Sequence, residues 1–278
     1  MLSQIPPSIG FPPPLLGTVA WRLPVLAAQN GIVALGKPSG IAWGSESGER
    51  NVVGALRRQL AEGKPELLAL GLQNPVSAWP LDAATAGIGI LASRGACHER
   101  WRNAFGSEQF CFRFEFLAEE ATPNVPDVFE CTLPIAQHLS EPRALISHST
   151  GKKSRTIFRR ISRVGRWSWW EASAHYLRQD QVRLHAAECQ LRIVGETSYP
   201  GAPSILLEQL IRRGRLNKGE AKPLHDEPCL RMSAVDCSAM GAEAWGALSF
   251  PESAKWGVLR RRLDAFCKNS QPARAQKA

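Results

Sequence analysis

The chain has 278 residues, 44% of them hydrophobic and 21% charged, enough to bury a substantial core in one large domain or two small ones. Its formal net charge is +9, which fits a nucleic-acid partner and equally fits a solvated basic surface. The seven cysteines are odd in number and none is spaced as CxxC, so a zinc site or disulfide framework is not expected and a reducing, cytoplasmic setting is.

The start, Met1 to Gly17, is apolar and proline-rich without a positive n-region, so a signal peptide is not expected, and no run of about twenty apolar residues predicts a membrane span. Pro6, Pro7, Pro12, Pro13 and Pro14 make the first segment extended, and Leu15 to Leu26 reads as an irregular lead-in. Residues 1–30 are therefore taken as a proline-rich extension. Ile32 to Leu35 reads as a strand stopped by the turn Lys37-Pro38-Ser39-Gly40. Asn51 can cap a helix over Val52 to Leu60, with Val53, Leu56 and Leu60 on one face. Ile88 to Leu91 is a buried strand, and Glu99 to Phe105 a short amphipathic helix.

Phe110, Phe112, Phe114 and Phe116 alternate with Cys111, Arg113 and Glu115, the period of a strand. Thr156 to Ile161 and Trp167 to Ala172 are two more strands, with a turn around Gly165. Gln181 to Cys189 favours a helix, while Ser204 to Leu210 and Pro228 to Val235 fit strands or short helical pieces. Glu252 to Phe266 is helical, with Trp256, Leu259 and Leu263 in register, and the tail at 267–278 is polar and frayed. Many strands with few helices predict an α+β fold, a mixed and mainly antiparallel sheet with peripheral helices.

Two segments carry groups suited to chemistry. In Trp79-Pro80-Leu81-Asp82-Ala83-Ala84-Thr85-Ala86-Gly87, a carboxylate stands on a loop entering a buried strand. Thr85 can bond the loop locally, and Gly87 allows close backbone approach. The same pattern also suits a plain turn or capping residue. In Leu177-Arg178-Gln179-Asp180-Gln181-Val182-Arg183-Leu184-His185, Asp180 suits a helix's first turn or its cap and Arg183 can pair with a buried carboxylate, or the whole can be an exposed charged helix.

The order of four segments resembles the RluA-like pseudouridine synthases. Ile32 to Gly40 resembles their opening strand and "KPxG" turn. Leu81-Asp82-Ala83-Ala84-Thr85-Ala86-Gly87 resembles "RLDxxTSG". Arg178 to His185 resembles "GRxHQxRxH", and Ile193-Val194-Gly195-Glu196-Thr197-Ser198-Tyr199-Pro200-Gly201 resembles "PIxGDxxYG". Lys222-Pro223-Leu224 and Leu230 to Cys237 resemble the closing strand, so the likeness spans roughly 31–266, the expected catalytic domain. It implies that Asp82 is the nucleophile and that a target uridine is flipped out of RNA into its cleft. The C–N bond then breaks, and the uracil turns and rejoins through carbon 5, with no metal and no cofactor. A closed pocket supplies most of the catalysis by holding the detached base.

The resemblance also makes Arg183 the partner of Asp82, supplying the positive charge a desolvated carboxylate needs. It puts Phe112 where the family stacks a tyrosine on the base, and Leu184 beside Arg183 at the substrate. The departures are Pro80 for an arginine, Ala78 or Trp79 for a histidine, Asp180 for a histidine, Glu196 for an aspartate and Ala86 for a serine. Arg178, Lys152, Lys153 and Arg155 are expected RNA contacts, within a basic stretch that continues through Arg159, Arg160, Arg163 and Arg166. Trp167, Trp169 and Trp170 are read as core, with Trp170 on the face opposite the other two. His185 is read as structural, and none of the six histidines shows metal-ligand spacing.

An S4-type RNA-binding domain is not expected, because only about thirty proline-rich residues precede the core. The expected partner is RNA, transfer or ribosomal, with no obligatory protein partner and a monomer by default. A catalytically impaired relative that binds or folds RNA is the alternative. An aspartate-nucleophile hydrolase lacks a second group placed to activate water.

Overall fold

The computed structural model describes residues 5–44, 50–210, 223–243 and 245–270. Its first half is a five-stranded antiparallel sheet built from β1 (Ser8–Phe11), β2 (Trp21–Gln29), β3 (Ile32–Lys37), β4 (Pro75–Ser77) and β5 (Gly87–Ser93). The strand order is β1-β2-β3-β5-β4. Helices α1 (Val52–Ala61) and α2 (Pro65–Leu68) cover one face, burying Val52, Leu56 and Leu67 against Val33, Leu35 and Leu91. Asn51 caps α1 as its position predicts, its side chain accepting from the Gly54 N–H at 2.8 Å.

The first sheet begins earlier than the sequence reading placed it. The lead-in at Leu15 to Leu26 was expected to be irregular, yet Trp21 to Gln29 pairs with β1 on one side and β3 on the other. Residue 30, where the proline-rich extension ends in the sequence pattern, lies inside a hairpin. Asn30 and Gly31 take φ of 48° and 76°, the turn geometry that Asn-Gly favours because both residues tolerate the left-handed region.

Helix α3 (Ala96–Gly106) leads into the second sheet, formed by β6 (Cys111–Glu120), β7 (Val128–Cys131), β10 (Thr156–Val164), β11 (Trp167–Ala174), β12 (Leu191–Ile193), β13 (Leu230–Asp236) and β14 (Ala247–Ser249). The path runs β14-β13-β6-β11-β10-β7, with β12 also pairing with β6. Between β7 and β10 a separate hairpin forms from β8 (Ile135–Gln137) and β9 (Ala144–Ile146). Helix α4 (Gln181–Glu188) packs Leu184 and Ala187 against that hairpin, while its Val182 and Ala186 face the central core.

A short helix, α5 (Leu207–Leu210), and α6 (Ala254–Ser270) complete the described chain. Within the span 204–210 only α5 is regular, and α6 runs on through the start of the expected frayed tail, with Cys267 partly buried against the core. Residues 271–278, and Lys222 in the closing segment, lie outside the described residues. Among the described residues, no helix is long and apolar enough to cross a membrane.

The inner faces of the two sheets share one core. Ile32, Ala34, Ile88 and Ile90 come from the first; Phe112, Phe114, Phe116, Trp170 and Met232 come from the second. Trp167 and Trp169 lie on the outer face under α6, so the alternation read from the sequence holds. The sheets meet where Ala86 bridges Arg231, and the Met232 N–H donates to the Ala86 carbonyl at 2.7 Å. A Cβ on Gly87 would lie 2.5 Å from the Met232 Cβ, so that close approach requires glycine. The chain is thus an α+β fold of mainly antiparallel sheets with peripheral helices.

Candidate active site

Asp82 stands on the loop that feeds β5, just before the seam between the sheets. One carboxylate oxygen, Oδ1, accepts the Thr85 backbone N–H at 2.7 Å, which fixes the loop. The local bond expected of Thr85 therefore comes from its backbone; its buried hydroxyl has no protein partner. Among the described residues, Asp82 Oδ2 has no protein donor, and the side chain keeps 19% of its surface exposed.

Beneath the loop lies Lys37, fully buried. Its ammonium donates to the carbonyls of Pro38 at 2.9 Å, Ile41 at 2.9 Å and Ala83 at 3.0 Å. Gly40 N–H also donates to the Ala83 carbonyl, at 2.8 Å. Burial pulls the lysine down to about 8, against the raising pull of Asp82 and Glu227. The residue after the candidate nucleophile is therefore anchored from two sides.

From the other sheet, α4 brings Arg183. Its Nη1 lies 3.8 Å from Asp82 Oδ1, a charge contact beyond hydrogen-bond reach. The shorter bonds go elsewhere. Nε and Nη2 grip Glu196 at 2.6 and 2.8 Å, and Nη1 donates to Asp180 at 3.1 Å. Glu196 also accepts the N–H groups of Thr197 at 2.8 Å and Ser198 at 2.6 Å. Although burial raises the Glu196 carboxyl, its bonds to Arg183 and to those N–H groups prevail and hold it below the usual carboxylate range. Asp180 moves the opposite way, raised by burial and by the negative charge of Asp82.

Asp180 occupies the N-cap position of α4, in the left-handed region with φ 53°, but its side chain makes no capping bond. Its second oxygen accepts the Tyr199 hydroxyl at 2.8 Å, and that hydroxyl in turn accepts the Ala144 N–H on β9 at 2.9 Å. Arg183, Asp180, Glu196 and Tyr199 therefore form one buried network tying α4, β9 and the 196–199 loop together behind Asp82. His185, also buried, bonds Thr156 and the Leu133 carbonyl, each at 2.9 Å.

In front of Asp82 opens a cleft of about 580 Å³. Trp43, Pro80, Phe114, Arg178, Val182 and Leu230 are among its walls. It is of the size and mixed character that takes a small ligand or a single base.

The sequence matches no protein-family model and no curated protein. Among the solved structures that match in shape are two human proteins. The human RNA pseudouridylate synthase domain-containing protein 4 superposes with a TM-score of 0.64 at 16% identity, over 86% of this chain and 92% of that one. The human domain-containing protein 1 gives 0.50 at 15% identity, over 87% and 95%. This chain has the pseudouridylate synthase fold.

On that fold, two of the expected site residues are misplaced. Phe112 is fully buried and has no open face to stack on a base. Its ring meets Trp79 edge-on at 4.9 Å, with Phe110 and Phe105 at 5.8 and 5.9 Å. Phe114, two residues on along the same face of β6, lines the cleft instead. Leu184 points away from the cleft into the cluster with Ile135, Ala144 and Tyr199, and Val182 takes the place expected of it. Phe114 shares the period-two signal of Phe112, so the pattern identified the face while leaving open which ring reaches the opening.

The basic stretch is largely neutralised on its own sheet. Arg155 pairs with Glu130 and Arg159 with Glu171, while Arg160 meets Glu120 and Asp127. Lys152 and Lys153 are exposed and have no acidic partner among the described residues. Arg178 stands at the cleft edge, its guanidinium 4.3 Å above the Tyr176 ring. No group of three His, Cys, Asp or Glu side chains suited to a metal occurs among the described residues.

Proposed function

We propose that the protein is an RNA pseudouridine synthase of the RluA-like type, with Asp82 as its nucleophile. The observation that carries this reading is an aspartate with one carboxylate oxygen free, beside a guanidinium 3.8 Å away, on the wall of a base-sized cleft in the synthase fold. The order of the four sequence segments supports the same family. A uridine of transfer or ribosomal RNA leaves its stack and enters the cleft. The carboxylate acts at the sugar or base while the bond from ribose to N1 breaks. The uracil then turns and bonds through carbon 5, which gives up its proton as N1 gains one, so no net oxidation or hydrolysis occurs.

Arg183 works here as a positioning residue. Glu196 and Asp180 fix its guanidinium, which leaves Nη1 facing Asp82 at charge-contact distance. Phe114 and Leu230 present the apolar wall for the loose uracil, and Arg178, Lys152 and Lys153 contact phosphates at the rim. Arg155, held by Glu130, is a weaker contact. The protein works in the cytoplasm as a monomer.

The test is to incubate the protein with cellular RNA, map pseudouridine chemically, and repeat with Asp82→Asn. Sites that appear with the intact protein and vanish with the variant support the enzyme. Pro80, which stands on the cleft wall and cannot hold a phosphate, favours a second reading, an RNA-binding member that has lost catalysis. RNA left unmodified while binding persists would establish that second reading.

A further inference from the structure

Across Arg178 from the Asp82 cleft lies a second depression of about 700 Å³, floored by small and aliphatic side chains of β10 and β11. Lys153, Arg155 and Arg178 stand on its walls against one acid, Glu108. Arg155 carries its own counter-ion, Glu130, so the unmatched positive charge is on Lys153 and Arg178. Arg178 borders both depressions.

The Arg178 guanidinium is held rather than free. Below it Tyr176 packs on Phe105, with ring centroids 4.1 Å apart, and Nε donates to the Lys153 carbonyl at 3.3 Å. A stack of two rings and one backbone bond thus fixes a cation on the saddle between two openings. Its other N–H groups have no carboxylate partner among the described residues. A fixed donor loses little side-chain entropy when it binds phosphate.

A nucleotide drawn into the Asp82 cleft stays bonded to its neighbours, so its strand must leave over the cleft rim. We propose that it leaves over Arg178, and that the second depression seats the unpaired RNA strand on one side of the target uridine. Arg178 holds the phosphate at the crossing and Lys153 holds the next. This inference rests on the reading of the Asp82 cleft as the uridine site. A polyanion meets both cations at once, as a tracked single strand does.

The probe is a short fluorescent oligouridylate, compared with the same oligomer lengthened at its 5′ or at its 3′ end. Lengthening at one end tightens binding to the intact protein. Lys153→Glu, at an exposed position, cancels about fivefold of that gain, the size of one exposed charge contact. It also lowers the log–log salt slope by about 0.7. Lys153→Glu weakens the short oligomer less than the lengthened one and leaves any gain from the other end as it was.

A gain that survives Lys153→Glu, an equal loss for short and lengthened oligomers, or no gain in the intact protein would each overturn the groove. The enzyme reading fails separately. If the intact protein makes no pseudouridine while the length gain still depends on Lys153, the enzyme reading falls and the groove stands.

Discussion

Replacing Lys37 with methionine separates burial from charge beneath the candidate nucleophile. The folded lysine sits at about 8 against an ordinary 10.5, because burial penalises the ammonium. That difference corresponds to about 3 kcal/mol of unfavourable folding energy, in full force below about pH 8. Between pH 8 and 10.5 the folded protein holds fewer protons than the unfolded chain, so stability rises with pH through that window. Methionine removes the penalty and orphans the carbonyls of Pro38 and Ile41, while the Ala83 carbonyl keeps the Gly40 N–H. Two orphaned carbonyls cost roughly 1–3 kcal/mol each. At pH 7 the two effects nearly offset each other, and by pH 10 the variant falls behind by a further 2–3 kcal/mol or so.

Urea unfolding followed by tryptophan fluorescence, at intervals from pH 7 to 10, measures the difference between the two proteins. Groups common to the two proteins cancel in that difference. Curves that run parallel would refute the argument, because they would mean the lysine is not penalised in the fold. Asp82→Asn provides an internal check. It removes a charge that raises Lys37, so the rise in stability should begin at lower pH.

Glu196→Gln breaks the two-pronged hold on a buried guanidinium and should cost about 3–5 kcal/mol in urea unfolding at pH 7. The folded carboxyl lies below its ordinary 4.5, so its contribution is present above that pH and is lost as pH falls through the folded value; the deficit of the variant should shrink in acid. Gly87→Ala forces a Cβ against Met232 at the seam and should cost about 1–3 kcal/mol, read as a lowered Tm. Phe112→Leu should lower stability by about 1 kcal/mol; on the proposed reading it leaves KM for RNA unchanged, whereas Phe114→Leu, on the cleft wall, raises it.

Much of this architecture was legible in the sequence because local signals agreed with tertiary ones. Asn51 followed by an amphipathic run, alternating phenylalanines and the three clustered tryptophans each behaved as their periods predict. The prolines mask the first two strands in the sequence, although Asn30-Gly31 announces a hairpin. The short strands β4, β8, β9 and β12 have too few residues for a period to register. At the site, the sequence brought Asp82 and Arg183 into one argument. It did not reveal that Glu196 and Asp180 claim most of the guanidinium, since such sharing depends on where loops 178–180 and 196–199 land. Nor could it tell Phe112 from Phe114, since residues two apart on a strand present the same face.

The stitch between Ala86 and Met232 has a mechanical consequence. Asp82 rides on one sheet and Arg183 on a helix of the other, so their separation gauges how far the two halves stand apart. That stitch lies four residues from the carboxylate, so a backbone bond between the sheets sets the spacing of the charge pair. A change that pried the sheets apart there would part the two charges with them.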